Sequence, residues 1–343
     1  MPKVFITGAT GFIAQHIVKI FLSHDYEVIG TVRSASKGEQ LKQSTIEYHH
    51  TSKFSYEIVA DIAAPRAFDS ALEKHKNIDF LLHTASPFNY TTTEPEKDLI
   101  IPAIQGTKNI LEAAHSHCSK LKRIVLTSSD SAIYSNVDER NNKLFFNEQS
   151  WNNVKYADAV KDAVSAYYGS KSFAEKLAWE FIAMERPCFD LVSINPSYVF
   201  GPQAYVCDAR NLNVSNAYIG DLLNKKKGVT KEDDFYNEIG SFIDVRDVAK
   251  AHLFAAENKE ASGRRLFMRE GVFSVQMMLD IINENWPQLG LITGNPGNGE
   301  KDVSVLATID NSETKKFLPW SFISLKTSVI NTVEQILNNN TRV

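Results

Sequence analysis

Tyr167 and Lys171 are the residues whose types and spacing most directly offer chemistry. Of the twelve tyrosines in the chain, Tyr167 is the one followed four residues later by a lysine. The pair lies in Ala166-Tyr167-Tyr168-Gly169-Ser170-Lys171, at the head of a stretch that reads as helix. Residues four apart share a helix face, so the phenol and the ammonium should stand side by side. A neighbouring cation favours the phenolate and lowers the tyrosine pKa, as a proton donor working near neutral pH requires. Chance also yields such a spacing among twelve tyrosines, so its meaning depends on what lies upstream.

Upstream, Thr127-Ser128-Ser129 closes an apolar run. A serine hydroxyl at the C-terminal end of a strand can donate to a carbonyl oxygen in the adjoining cleft, although a Ser-Ser run is equally a plain strand end. Thr7-Gly8-Ala9-Thr10-Gly11-Phe12-Ile13-Ala14 follows the first apolar run and opens a helical one. Its glycines permit a tight turn and close backbone approach, and the helix N-terminus offers N–H groups to a pyrophosphate. Ala14 at the third glycine position still allows close helix–strand packing. After the second run, where an NAD site usually carries an acid, the chain reads Thr31-Val32-Arg33-Ser34-Ala35-Ser36-Lys37. Arg33 and Lys37 suit a 2′-phosphate, so the residues favour NADPH over NADH. A solvated basic turn is the plainer alternative.

Two further strand ends face the same way. Asp61-Ile62 follows the third run, within reach of an adenine. His83-Thr84-Ala85-Ser86-Pro87 follows the fourth, with small residues that let the backbone pass close to a ligand. His83 itself reads as a satisfied core histidine, and none of the nine histidines has metal-ligand spacing.

These residues must be held by strands and helices in alternation. Val4 to Thr7, Tyr26 to Val32, Tyr56 to Ala60, Phe80 to His83, Ile124 to Thr127 and Leu191 to Ile194 are short apolar runs suited to buried strands. Helical patterns lie between them, one from Leu99 to Ala114 with a kink or late start at Pro102, another from Val164 to Glu185. The expected fold is α/β, a Rossmann-like doubly wound parallel sheet. The alternation ends at Phe200-Gly201-Pro202. A strand-like Ser241 to Asp244 and helical patterns at Val245 to Glu257 and Ser274 to Asn285 follow. Residues 1–200, with a later contribution from about 241–260, are expected to form the NADP-binding domain. Residues 201–343 should form mainly a smaller, discontinuous substrate lobe.

The 343-residue chain is 43% apolar and 23% charged, as in ordinary globular proteins. A net charge of −4 leaves no basic footprint for nucleic acid. Cys118, Cys188 and Cys207 are odd in number, show no CxxC or metal spacing, and fit a reduced, cytoplasmic setting. The start at Met1-Pro2-Lys3 gives no reason to expect a signal peptide, and no apolar run reaches the ~20 residues of a membrane span.

Taken in order, the Gly8 to Ile13 turn, Ser129, Tyr167-x-x-x-Lys171 and Asn195-Pro196 resemble the extended short-chain dehydrogenase/reductase superfamily. Several segments are similar to its dihydroflavonol-4-reductase/cinnamoyl-CoA reductase-like group. They are Val32-Arg33-Ser34, His83 to Pro87, Val125 to Ser129, Phe200 to Gln203 and Phe242 to His252. The whole chain most resembles that group's fungal NADPH-dependent methylglyoxal/3-methylbutanal reductases and ketoreductases.

The resemblance implies an NADPH-dependent carbonyl reductase acting on aldehydes, ketones or α-dicarbonyls. Tyr167 would be the proton donor, Lys171 would lower its pKa and hold the nicotinamide ribose, and Ser129 would polarise the carbonyl. Gly8, Ala9, Thr10, Gly11, Phe12 and Ile13 would cradle the pyrophosphate. Arg33 and Lys37 would take the 2′-phosphate, and Asp61 and Ile62 the adenine. Thr84, Ala85, Ser86 and Thr127 would border the cofactor, whose nicotinamide end Pro196, Val199 and Ser215 would line. Phe88, Tyr134, Tyr198 and Phe200 would wall the substrate pocket. Asp130 departs from the group's usual uncharged residue and would disfavour anionic substrates if it faces that pocket. Asn109 sits in a local pattern unlike that of the superfamily's fourth, asparagine relay member. Neither nucleic acid nor membrane is an expected partner, and the chain should act as a monomer or homodimer. Two other readings use the same motifs. A nucleotide-sugar epimerase or dehydratase would need a basic clamp, for which only Arg210 and Lys225 to Lys227 are available. A non-catalytic NADPH-sensing module would have no need of Ser129, Tyr167 and Lys171 together.

Overall fold

A computed structural model describes residues 1–49, 51–205 and 212–340, with the side chains of 339 and 340 left out. Cys207 and Arg210 therefore lie outside the described residues, as does part of 203–240. Seven parallel strands form the main sheet in the order β10-β7-β5-β4-β1-β2-β3. In chain order these are β1 (Lys3–Thr7), β2 (Glu27–Val32), β3 (Phe54–Ile58), β4 (Phe80–His83), β5 (Arg123–Thr127), β7 (Asp190–Pro196) and β10 (Arg265–Met268). A second sheet joins β8 (Tyr198–Phe200), β9 (Ile239–Asp244) and β11 (Gly271–Ser274). The short β6 (Phe145–Asn147) pairs with β12 (Thr308–Asp310).

Both faces of the main sheet are covered, so its strands read as continuous apolar runs. Alternate residues serve opposite faces. Val4 and Ile6 join Ile17, Phe21, Val248 and Ala251 of the helices Phe12–Ser23 and Val245–Glu257. Phe5, Leu81 and Ile124 join Ile110, Ala114 and Ala178 of the helices Ile101–His117 and Ala163–Glu185. A third core, with Phe200, Ile219, Phe242, Met278 and Val333, binds the smaller sheet to the helices Val214–Leu223, Val275–Asn285 and Leu325–Asn340.

Three elements refine the sequence reading. The third strand spans Phe54–Ile58 rather than Tyr56 to Ala60, because the buried apolar anchor is Phe54, whereas Ile58 at this edge is 56% exposed. Helix Ala35–His49 has no apolar stripe to announce it, burying only Gly38, Leu41 and Thr45. Of the kink or late start expected at Pro102, the structure shows the late start: the α-helix begins at Ile101. Pro102 occupies the first turn of Ile101–His117, where its missing N–H is harmless, and a π-helical turn, Glu96–Ile100, precedes it.

The order of strands reverses between β1 and β4, which leaves a crevice beyond their C-terminal ends. Thr7 Oγ1 accepts from the backbone N–H of Thr84 and Ala85 at 3.1 and 3.0 Å. That contact fixes the gap between the two loops that flank the crevice. His83 is buried, pairs with Thr7 Oγ1 at 2.9 Å and is pulled down to about 3 by burial. It is the satisfied core histidine expected.

Candidate active site

Asp162 starts the helix Ala163–Glu185 by accepting from Ser165 N at 2.8 Å, and Arg186 ends it in a left-handed conformation, φ 46°. Close packing sets its height: a Cβ on Gly169 would lie 2.5 Å from Ala159 Cβ. The helix thereby brings Tyr167 and Lys171 to one cavity of about 390 Å³, which Ser129 and the Gly-rich turn also line. The Tyr167 ring packs edge-on against Phe88 at 5.0 Å and Tyr90 at 5.3 Å.

The two serines after β5 face different partners. Ser128 Oγ donates to Glu175 Oε2 at 2.6 Å. Ser129 Oγ donates to Asp130 Oδ1 at 2.9 Å and accepts from Ser131 N at 3.2 Å. Asn195 Nδ2 donates to the Ser129 carbonyl at 3.0 Å.

The charge balance differs from the sequence expectation. Burial pushes the Tyr167 phenol up to about 12, with hydrogen bonding to Ser129 pulling it down and the Asp130 carboxyl pushing it up. Burial also pulls Lys171 down to about 8, against an opposing pull from Glu175. In this structure desolvation outweighs any effect of the ammonium on the phenol, because both groups have left water.

The Gly-rich turn fits an anionic group. Gly8 has φ +64°, and a Cβ there would lie 3.1 Å from Ala85 Cα, so the two loops meet at backbone distance. Gly8 N donates to Thr31 Oγ1 at 3.1 Å and Ala9 N to the Thr31 carbonyl at 2.9 Å, which anchors the turn to β2. The helix Phe12–Ser23 has no side-chain cap and no acid in its first turn, leaving its positive end open to a pyrophosphate. Gly8, Gly11, Phe12, Ile13, Thr84 and Ser86 border the cavity from this side. Pro196, Val199, Ser215 and Thr127 also line it. Ala9, Thr10 and Ala85 lie within the same loops without lining it.

Arg33, Lys37, Asp61 and Ile62 also lie outside this cavity. Arg33 follows β2, Lys37 opens Ala35–His49, and neither has an ion-pair partner among the described residues. Asp61 accepts from Ala63 N at 2.8 Å in the turn after β3, and Ile62 packs where Gly106 leaves room. Asn109 holds that turn in place, its amide donating to the carbonyls of Ile62 and Ala64, both at 2.8 Å.

Phe88 and Tyr198 line the pocket; Tyr134 and Phe200 do not. Tyr134 is 1% exposed among Ile133, Tyr168 and Phe267, with its hydroxyl on Asp130 Oδ2 at 2.7 Å. Phe200 is buried in the lobe core against Phe273. Aromatic type misled: Tyr134 enters the core just after the turn Asp130–Ala132, and Phe200, which shares the strand face of Tyr198 and stacks on it at 6.4 Å, is buried against Phe273. Tyr90, Tyr168 and Tyr218 line the pocket unforeseen. Tyr90 stood two residues from Phe88, a spacing that would have signalled a shared face in an extended loop.

Among the described residues no cluster of His, Cys, Asp and Glu is arranged to hold a metal, and no helix is long and apolar enough to cross a membrane.

The NAD dependent epimerase/dehydratase family matches residues 4–267. The chain is 43% identical over 348 residues to the NADPH-dependent methylglyoxal reductase Gre2 of Saccharomyces cerevisiae, covering 99% of this chain and 100% of the relative. It is 43% identical over 338 residues to a putative NADPH-dependent methylglyoxal reductase of Candida albicans, covering 97% and 98%. The crystal structure of yeast methylglyoxal/isovaleraldehyde reductase Gre2 complexed with NADPH superposes with a TM-score of 0.93 at 43% identity, covering 99% and 100%.

Proposed function

The chain belongs to the NAD dependent epimerase/dehydratase family, and within it we propose that the protein is an NADPH-dependent carbonyl reductase of aldehydes, ketones or α-dicarbonyls. The observation that carries this reading is the meeting of Ser129, Tyr167 and Lys171 in the cavity bordered by the Gly-rich turn. An epimerase or dehydratase acting on a nucleotide sugar would need cations for the substrate diphosphate. Here the wall facing Tyr167 is aromatic, from Phe88, Tyr90, Tyr198 and Tyr218.

When bound, NADPH supplies the hydride that reduces the carbonyl carbon. Tyr167 holds the proton that passes from its hydroxyl to the developing alkoxide. Its phenol, pushed up to about 12, keeps that proton at neutral pH until the oxygen becomes basic. Ser129 stabilises the same oxygen, a contribution of roughly 3–4 kcal/mol for a well-placed donor. Lys171, one helical turn beyond Tyr167, holds the nicotinamide ribose. Gly8 to Ile13 take the pyrophosphate, Arg33 and Lys37 the 2′-phosphate, and Asp61 and Ile62 the adenine. Pro196, Val199 and Ser215 close around the nicotinamide.

On this reading residues 1–200, with the return from about 241, hold the cofactor, and most of 201–343 shapes the pocket. The protein acts on this reading as a monomer or homodimer, and a cytoplasmic location suits an enzyme that draws on NADPH. The test is NADPH consumption by purified protein with methylglyoxal, isovaleraldehyde, diketones and aryl ketones, with chiral separation of the alcohols. Absence of turnover on all of these, with retention of a nucleotide sugar, would overturn the reading.

A further inference from the structure

Ser129 has one hydroxyl proton, for which the Asp130 carboxyl, the Ser131 hydroxyl and the Tyr167 phenol compete. Its Oγ donates to Asp130 Oδ1 at 2.9 Å, accepts from Ser131 N at 3.2 Å and lies 3.2 Å from Ser131 Oγ. Asp130 is 7% exposed and borders the same cavity. Its second oxygen accepts from the Tyr134 hydroxyl at 2.7 Å, and Tyr134 is locked in the core. An ionised Asp130 carboxylate is the strongest of the competing acceptors and draws the Ser129 proton away from the cavity, whereas a carbonyl oxygen needs a donor.

A neutral Asp130 reverses the direction. Its proton on Oδ1 is donated to Ser129 Oγ, which frees the serine proton to turn outward. Tyr134 keeps Oδ2 in place in either state. We propose that Asp130 is a positioning residue for carbonyl reduction, whose neutral carboxyl turns the Ser129 hydroxyl toward the substrate oxygen. This rests on the carbonyl-reductase reading.

The surroundings extend the neutral form upward in pH, to about 6. Burial raises the Asp130 pKa, while hydrogen bonds from Tyr134, Ser129 and Ser131 oppose the rise. Glu139, on the helix Asn136–Glu139, is buried and raised too, and the ionisation of either carboxyl hinders the other. Tyr167 and Tyr168 face the carboxyl from the long helix and Tyr90 from the loop after β4, and none supplies positive charge. Lys171 borders the same cavity. Arg269, just beyond β10, interacts with Tyr134 and Glu139 and donates to Ser241 Oγ at 2.9 Å. Further out, Glu238 is paired with Arg140.

The experiment follows kcat/KM for an uncharged aldehyde, isovaleraldehyde, with saturating NADPH from about pH 5 to about pH 9. Wild type should lose about a hundredfold as Asp130 ionises with rising pH, the usual loss on removing one oxyanion donor. Asp130→Asn offers a permanent N–H to Ser129, so that limb should vanish while the low-pH rate is held. A limb owed to Lys171 would persist in both proteins. Tyr134→Phe removes a hydrogen bond to the carboxylate and should move the limb to higher pH. In the cofactor-free protein, the wild-type minus Asp130→Asn infrared difference should show a protonated-carboxyl band over the same pH range. An active wild type whose limb is unchanged in Asp130→Asn overturns the role of Asp130 alone. If that variant does not fold, an unshifted limb in Tyr134→Phe does the same. A wild type that oxidises no NADPH with any carbonyl overturns the function reading, and this proposal with it.

Discussion

Asn195 Nδ2 donates to the Ser129 carbonyl at 3.0 Å, tying the end of β7 to the residue that follows β5. The same amide donates to Glu175 Oε2 at 2.7 Å, one helical turn beyond Lys171. Glu175 also accepts from Ser128, Ser193 and Arg265. One carboxylate on the Tyr167 helix thus gathers β5, β7 and β10, and it sets Ser129 relative to Tyr167 while touching neither hydroxyl.

Glu175→Gln should be destabilising. The Arg265–Glu175 pair, at 2.6 Å with side chains 9% and 0% exposed, would leave a buried guanidinium without its counter-charge. Such losses run to about 3–5 kcal/mol, and here the stacking of Arg265 on Trp151 at 3.8 Å favours the lower end. Burial raises the Glu175 pKa, but Arg265, Ser128 and Asn195 outweigh it and hold the carboxyl below its ordinary value. The stabilisation is therefore present above the unfolded pKa of about 4.3 and lost as pH falls through the lower folded value. Urea unfolding should show a constant gap between the proteins at neutral pH that closes in acid. Equal stability at neutral pH would contradict this.

Tyr167→Phe should separate chemistry from packing. The ring keeps its edge contacts with Phe88 and Tyr90, so the melting temperature should hold. Loss of the proton donor should lower kcat by about 10²–10⁴. NADPH affinity, read by fluorescence titration, should change little. Undiminished ketone reduction by this variant would remove the tyrosine from the mechanism.

The legible part of the site was the part written in local sequence. Gly8 to Ile13, Ser129, Tyr167 and Lys171 each sit at a strand end or on one helix face, where spacing alone fixes position. Parallel strands buried on both faces announced themselves as apolar runs, so β4 was read to the residue. What stayed hidden depends on contacts distant in sequence. Nothing local marks Glu175 as the partner of Arg265, 90 residues away. Nor does type alone tell that Tyr134 and Phe200 turn into cores while Tyr198 faces the cavity. Neighbouring motifs suggested an acidic Tyr167, but burial of both partners is a tertiary property and reverses the sign.

Lys171 should give cofactor affinity a pH dependence. Burial pulls its ammonium down to about 8, with Glu175 opposing. The charged form, which can donate to a ribose, therefore predominates below about pH 8 and is lost above it. The Kd for NADPH should weaken as pH rises through that value, with proton uptake on binding near it. Lys171→Met should bind more weakly at low pH and show no such step. A wild-type Kd that stays flat across this range would count against ribose contact by the lysine.

Arg33 is the residue on which cofactor choice should turn. It follows β2, whose Thr31 anchors the Gly-rich turn through Gly8 N and Ala9 N. On the proposed binding mode a basic side chain there would meet the part of the cofactor at which NADPH and NADH differ. Having no ion-pair partner among the described residues, it has no competing carboxylate to leave. A hydrogen bond to a charged group contributes about 1.5–3 kcal/mol, or roughly 10–100-fold. Arg33→Ala should accordingly raise the KM for NADPH by that factor, leave the KM for NADH nearly unchanged, and spare kcat. Lys37→Ala should repeat the pattern more weakly, because an ammonium is a point charge whereas a guanidinium can hold a phosphate in two-pronged fashion. Equal increases for both cofactors would place the 2′-phosphate elsewhere, since only NADPH carries it.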